Sequence, residues 1–110
     1  MREAVIVSTA RTPIGRAYRG AFNATGSPTL AGHCIDEAVK RAGIDGAEVD
    51  DVVMGCALQQ GVQVTMGRNA VLASSLPVTV PAMSIDRQCS SGMIAIGMAA
   101  KQIISDGHTV

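Results

Sequence analysis

Three cysteines carry the strongest candidate nucleophiles of this 110-residue chain: Cys34, Cys56 and Cys89. Their number is odd, and no two stand in a C-x-x-C pair. Neither a zinc site nor a redox dithiol is therefore indicated, and each thiol has to be judged by its own surroundings. Cys34 falls on the apolar side of a helical pattern, and Cys56 lies inside the apolar run Val52–Leu58. Both read as small core residues, the usual behaviour of free cysteine. Cys89 differs. Asp86-Arg87-Gln88 precede it, Ser90-Ser91-Gly92 follow it, and Met93 to Ala100 then runs without a polar side chain. Such a junction is either a small-residue turn feeding a buried helix or a thiol mounted at a helix head for attack.

The second reading has a physical basis. The first backbone N–H groups of a helix have no intrahelical partner, so Ser90, Ser91 and Gly92 offer free donors beside the sulfur. These donors and the helix dipole favour the thiolate, the form that attacks. The N–H of Cys89 itself could meet an oxyanion on the attacked carbonyl. The dipole supplies at most ~2 kcal/mol in a partly buried setting. A working nucleophile therefore wants a base beside it, most often a histidine. The two histidines do not fit that role. His33 is centred on the charged face of a helix, and His108 stands near the last residue with no visible partner.

The elements that must position the thiol alternate along the chain. Ala4–Val7 reads as a short buried strand, followed by a Gly-rich loop from Arg11 to Ser27. Ser27 and Pro28 suit a helix start as cap and first-turn residue. Leu30, Ala31, Cys34, Ile35, Ala38, Val39 and Ala42 then share one helical face. Asp36–Lys40 and Glu37–Arg41 oppose them as i,i+4 pairs, and Gly43 closes the helix. Val52–Leu58 reads as a strand covered on both faces, Met66 to about Ser75 as a short helix ended by Leu76-Pro77, and Ala82–Ile85 as a third strand. Met93–Ala100 has the all-round apolar surface of a helix buried on every side. Thr109-Val110 looks like the first step of a fourth strand. This order predicts an α/β fold with a mostly parallel sheet and crossover helices. Arg11-Thr12-Pro13-Ile14-Gly15 lacks the G-x-G-x-x-G spacing of a dinucleotide fold.

Composition narrows the function classes. Nine Lys plus Arg balance nine Asp plus Glu, leaving no basic excess for a nucleic-acid backbone. The apolar run Met93–Ala100 falls far short of the roughly 20 residues of a membrane span. A strand-like run begins at Ala4, leaving no room for a targeting peptide, so a cytoplasmic protein is expected. One Tyr, one Phe and no Trp leave a core of Ala, Val, Ile and Met that buries little area per residue. Such elements suit a larger assembly.

The stretches VIVSTARTPIG, GAFN, AGIDGAEVDDVVMGCALQQG and IDRQCSSGMIAI together resemble the N-terminal part of a thiolase, in order and over essentially the whole chain. The resemblance implies a layered αβαβα fold, of which residues 1–110 form a partial N-terminal domain cut at the start of a strand. It implies that Cys89 is acylated during thiolysis of 3-oxoacyl-CoA, or during the reverse condensation. Acyl-CoA and coenzyme A would be substrates, with no metal or redox cofactor and a parent homodimer or homotetramer. The family's histidine and second cysteine belong to its C-terminal half. Members usually carry Asn three residues before the cysteine, where this chain has Asp86. The wording Arg87-Gln88-Cys89-Ser90-Ser91-Gly92 is similar to degradative 3-ketoacyl-CoA thiolases more than to acetoacetyl-CoA-forming ones. A ketoacyl synthase and a thiolase-like lipid-binding protein with an idle thiol are the alternatives.

Overall fold

The computed structural model describes all 110 residues, Met1–Val110. Three α-helices and two strands alternate: α1 Ser27–Ala42, β1 Val52–Gly55, α2 Met66–Leu72, β2 Ala82–Ile85 and α3 Ser91–Lys101. β1 and β2 pair in parallel, Val52 opposite Ala82 through Gly55 opposite Ile85. A parallel pair needs a crossover, and α2 supplies it.

α1 begins with Pro28 in its first turn, where a missing N–H costs nothing. Its cap is Gly26, one residue earlier than expected. Ser27 is already helical, and its hydroxyl accepts a bond from Gln63 Nε2 at 2.8 Å. Gly43 closes the helix in the left-handed region at φ 70°, its N–H reaching the carbonyls of Lys40 and Val39. Glu37 pairs with Arg41 at 3.7 Å, as the spacing predicts. Asp36 does not pair with Lys40. It accepts both the N–H and the hydroxyl of Ser75 at 2.7 Å, tying α1 to the turn after α2. Ser75 offers Asp36 two donors from one residue, and Lys40 turns instead to Glu37 at 3.9 Å.

The core is small. Val71, Leu76 and Val80 are buried, with Ile35, Val39, Val49, Val52 and Ala82 packed against them. Two glycines let elements touch backbone to backbone. A Cβ on Gly32 of α1 would lie 2.7 Å from the Ala73 carbonyl, and one on Gly67 of α2 would lie 2.3 Å from the Met83 carbonyl.

The expected strand at Ala4–Val7 does not form. No backbone group from Met1 to Arg19 bonds another backbone group, and Val5, Ile6 and Val7 are exposed. A strand exists only through a ladder, and no strand lies alongside this one. Side chains hold the segment instead: Ser8 Oγ donates to the Ala38 carbonyl and Arg41 to that of Thr9. Thr109-Val110 likewise forms no ladder. The Asp50 carboxylate, just before β1, accepts the Thr109 N–H at 2.6 Å, its hydroxyl at 3.0 Å and the Val110 N–H at 3.3 Å. Those bonds, the Thr109 N–H foremost, hold the Asp50 carboxyl below the ordinary carboxylate range. Nor is α3 buried on every side. Only Ser91 and Ala95 are buried along it, and Met93 and Ile96 stand 75% and 61% exposed.

Candidate active site

β1 and β2 end side by side, and both reactive candidates stand just beyond those ends. β1 stops at Gly55, so Cys56 lies past the strand and not in its middle. Its N–H donates to the Ile85 carbonyl at 2.9 Å, and Leu58, two residues on, turns the chain away at φ 54°. Cys56 is half-buried, as is Cys34, and all three thiols are free. Burial first, and the Asp86 carboxylate second, push the Cys56 thiol up. Both factors disfavour the charged form of an acid.

Cys89 is the exposed member of the three. It caps a turn built from Asp86 to Ser91. Asp86 Oδ1 accepts the N–H of Gln88 at 3.0 Å, an Asx-type turn. Gln88 sits in the left-handed region at φ 53°, where a side chain is tolerated only when the surroundings hold it. Ser90 donates through its hydroxyl to the Arg87 carbonyl at 2.8 Å. The Ser91 hydroxyl accepts from the Arg87 N–H at 2.8 Å and donates to the Gln88 carbonyl at 2.6 Å. The peptides on both sides of Cys89 are thus fixed.

The donors around the sulfur are only in part the ones expected from the sequence: Cys89 and Gly92 are free as expected, Ser90 and Ser91 are not. The N–H groups of Ser90 and Ser91 are occupied by the carbonyls of Arg87 and Gln88, closing the turn. The N–H groups of Cys89, Gly92 and Met93 reach no acceptor within the protein. They are the donors at this junction that a developing negative charge can use. Neither histidine bonds to the turn. His33 is exposed, and His108 donates its N–H to the Gln102 carbonyl.

Gly55 seats the junction. A Cβ there would fall 2.4 Å from the Gly92 nitrogen and 2.5 Å from the Ser91 carbonyl carbon. The head of α3 therefore rests directly on the β1 backbone. Periodicity marks Gly55 only as one more small residue in an apolar run. Its meaning depends on a helix that begins 36 positions later, so no local pattern discloses it.

With this geometry in hand, comparison with known proteins gives one family. The family model "Thiolase, N-terminal domain" matches residues 4–110. The chain is 43% identical over 105 residues to the 3-ketoacyl-CoA thiolase of Bacillus subtilis, covering 94% of this chain and 27% of that protein. It is 38% identical over 106 residues to the acetyl-CoA acetyltransferase of Syntrophomonas wolfei subsp. wolfei, covering 96% of this chain and 26% of that protein. Among solved structures, the acetyl-CoA acetyltransferase of Bacillus anthracis superposes with a TM-score of 0.87 at 43% identity, covering 94% of this chain and 26% of that one. The chain thus spans about a quarter of the length of these relatives, and the α/β class expected from the element order is met. On its sequence and its fold alike, this chain belongs to the thiolase family, over that family's N-terminal domain.

Proposed function

We propose that this segment carries the nucleophile of a thiolase-type acyltransferase and that Cys89 is that nucleophile. The observation that carries the reading is the contrast in exposure. Cys89 alone among the cysteines is exposed, and it stands on a hydrogen-bonded turn beside unpaired N–H groups. The Cys89 sulfur bonds to the 3-keto carbon of a 3-oxoacyl-CoA. The bond between that carbon and its α-carbon breaks, and the released carbon takes a proton as acetyl-CoA leaves. A second coenzyme A thiol then displaces the cysteine and carries off the shortened acyl group. The base and the acid for these transfers come, in this reading, from parts of a longer polypeptide beyond these residues. No metal or redox cofactor enters the scheme.

The names of the relatives divide between 3-ketoacyl-CoA thiolase and acetyl-CoA acetyltransferase. We favour the degradative direction on acyl chains longer than acetoacetyl, in a cytoplasmic homodimer or homotetramer. The support is the Arg87-Gln88-Cys89-Ser90-Ser91-Gly92 wording. Turnover of acetoacetyl-CoA alone would reverse that preference.

The test uses the full-length polypeptide. Iodoacetamide should label Cys89 well before Cys34 or Cys56, and prior acyl-CoA should protect it and leave an acyl mass on its peptide. Cys89→Ala should lower acyl transfer by about 10⁴-fold or more, the scale of losing a nucleophile, with the fold retained. An idle thiol in a lipid-binding protein would bind acyl-CoA and form no adduct. Labelling of Cys34 or Cys56 first would refute the assignment.

A further inference from the structure

We propose that Ser91 is the positioning residue for Cys89: its buried hydroxyl locks the turn that aims the thiol. The inference rests on Cys89 being the nucleophile.

Ser91 is the one buried polar side chain of the protein, 4% exposed. Its hydroxyl uses both capacities on the turn that carries Cys89. It accepts from the Arg87 N–H at 2.8 Å and donates to the Gln88 carbonyl at 2.6 Å. Arg87 and Gln88 are the two residues directly before the cysteine, and Ser91 lies two after it. The hydroxyl therefore closes a ring around Cys89. A hydroxyl that merely started a helix would satisfy the helix's own orphan N–H groups. This one reaches backwards, out of α3, to backbone groups that belong to the turn.

The seat beneath it holds the Ser91 end of that ring against the β1 backbone. The Gly55 backbone presses on Ser91 and Gly92 closely enough that a Cβ would fall 2.4–2.6 Å from their atoms. Truncating Ser91 leaves the Arg87 N–H without a partner and the Gln88 carbonyl with only the Ser91 N–H. The Arg87 N–H is half-buried in its bond to Ser91, and leaving such a donor unpaired costs stability, so the turn relaxes to hydrate it. Gln88, at φ 53°, is the residue with most to gain by relaxing. The outcome is a thiol that remains present and accessible but points away from a docked acyl group.

A positioning role and a merely structural role differ in what they change. Ser91→Ala and the control Val71→Ala are made in the full-length polypeptide. Val71 is a fully buried core residue away from the turn, so its truncation lowers stability without touching Cys89. For Ser91→Ala, kcat with acyl-CoA should fall about ten- to a hundredfold, the penalty of a roughly 1 Å misplacement, with KM little changed. Iodoacetamide, which needs no docking, should still label Cys89 first. Ser91→Thr, which keeps the hydroxyl, should recover part of the lost kcat. Val71→Ala should leave kcat unchanged.

Three results overturn the proposal. One is an unchanged kcat in Ser91→Ala. Another is an equal loss in Ser91→Ala and Val71→Ala. The third is a Ser91→Ala protein whose three cysteines react alike, since the residue would then hold the fold and not the aim. Failure of the nucleophile assignment itself appears separately, as no preferential Cys89 labelling in the unaltered protein.

Discussion

Cys56 and Cys89 stand just past the ends of two adjacent, parallel strands, yet only one is placed to react. Register puts Gly55 opposite Ile85, so the two segments leave the sheet together. After β1 the chain is half-buried at Cys56 and swings off through Leu58 without a helix. After β2 it makes a hydrogen-bonded turn and enters α3 within six residues. The strand end alone does not make a site. The turn built on that end decides whether a thiol meets apolar neighbours and a carboxylate, or open space and unpaired N–H groups. Asp86 takes part on both sides. It braces the Cys89 turn through the Gln88 N–H and disfavours ionisation of Cys56.

The largest expected effect comes from breaking the seat that the two strand ends share. Gly55→Ala places a carbon 2.4 Å from the Gly92 nitrogen, closer than any real contact. Backbone must move, at a cost of about 1–3 kcal/mol or more, and the head of α3 must lift off β1. Gly92→Ala, at the same junction, meets nothing within 4 Å. It should gain about 0.5–1 kcal/mol, the usual advantage of alanine over glycine in a helix. Urea midpoints of both variants check the contrast. A neutral Gly55→Ala would mean that α3 is not seated on β1 as described.

An intermediate effect should come from Asp86→Asn. Asparagine keeps the oxygen that accepts the Gln88 N–H, so the turn survives and acyl transfer should persist. The charge facing Cys56 is lost. The group it bears on lies at the end of β1, and Arg87 is the other charge adjoining Asp86 in sequence. The pH midpoint for alkylation of Cys56 should move down, yet stay above the ordinary thiol value because burial, the larger cause, is unchanged. The sign for stability comes from the raised thiol. The folded state keeps its proton longer than the unfolded state does. That contribution is complete below the unfolded pKa and is lost as pH rises through the folded one. Alkaline destabilisation should therefore be milder in Asp86→Asn. An unmoved Cys56 midpoint would show that Asp86 does not reach it.

Features set by near neighbours were legible in the sequence. Pro28, the apolar periodicity and Gly43 bound α1 to within a residue, and Ala82–Ile85 is a strand as its pattern predicts. The singular character of Cys89 was also legible, since polarity changes abruptly around it. Features set by distant partners were not. Asp36 looks like a lysine partner until the Ser75 turn is folded against it, 39 residues away. Ser91 is an exception by distance, its partners Arg87 and Gln88 being four and three residues away, but nothing in the sequence tells its hydroxyl from that of Ser90 until the turn is folded. Ala4–Val7 has the composition of a strand, but composition does not supply a neighbour. The apolar surface of α3 signals burial, while within these residues Met93 and Ile96 stay uncovered.

The smallest effect tests whether strained backbone serves the two cysteines differently. Leu58 follows Cys56 at φ 54° and Gln88 precedes Cys89 at φ 53°, each at a cost of about 1–2 kcal/mol for a residue with a Cβ. Glycine removes that cost but adds about 0.5–1 kcal/mol of backbone entropy. The Leu58 side chain is exposed, so Leu58→Gly loses little packing and should stabilise by up to about 1 kcal/mol. Gln88→Gly should stabilise by a similar amount, because its N–H can still reach Asp86 Oδ1. The rates should separate the two. Leu58 supports no bond around Cys89, so Leu58→Gly should leave acyl transfer unchanged. Glycine at 88 opens other conformations to the turn that Ser91 closes, so acyl transfer should slow a few-fold although the protein is no less stable. Equal rates in the two variants would mean that hydrogen bonds alone aim Cys89 and that the left-handed residue before it is incidental.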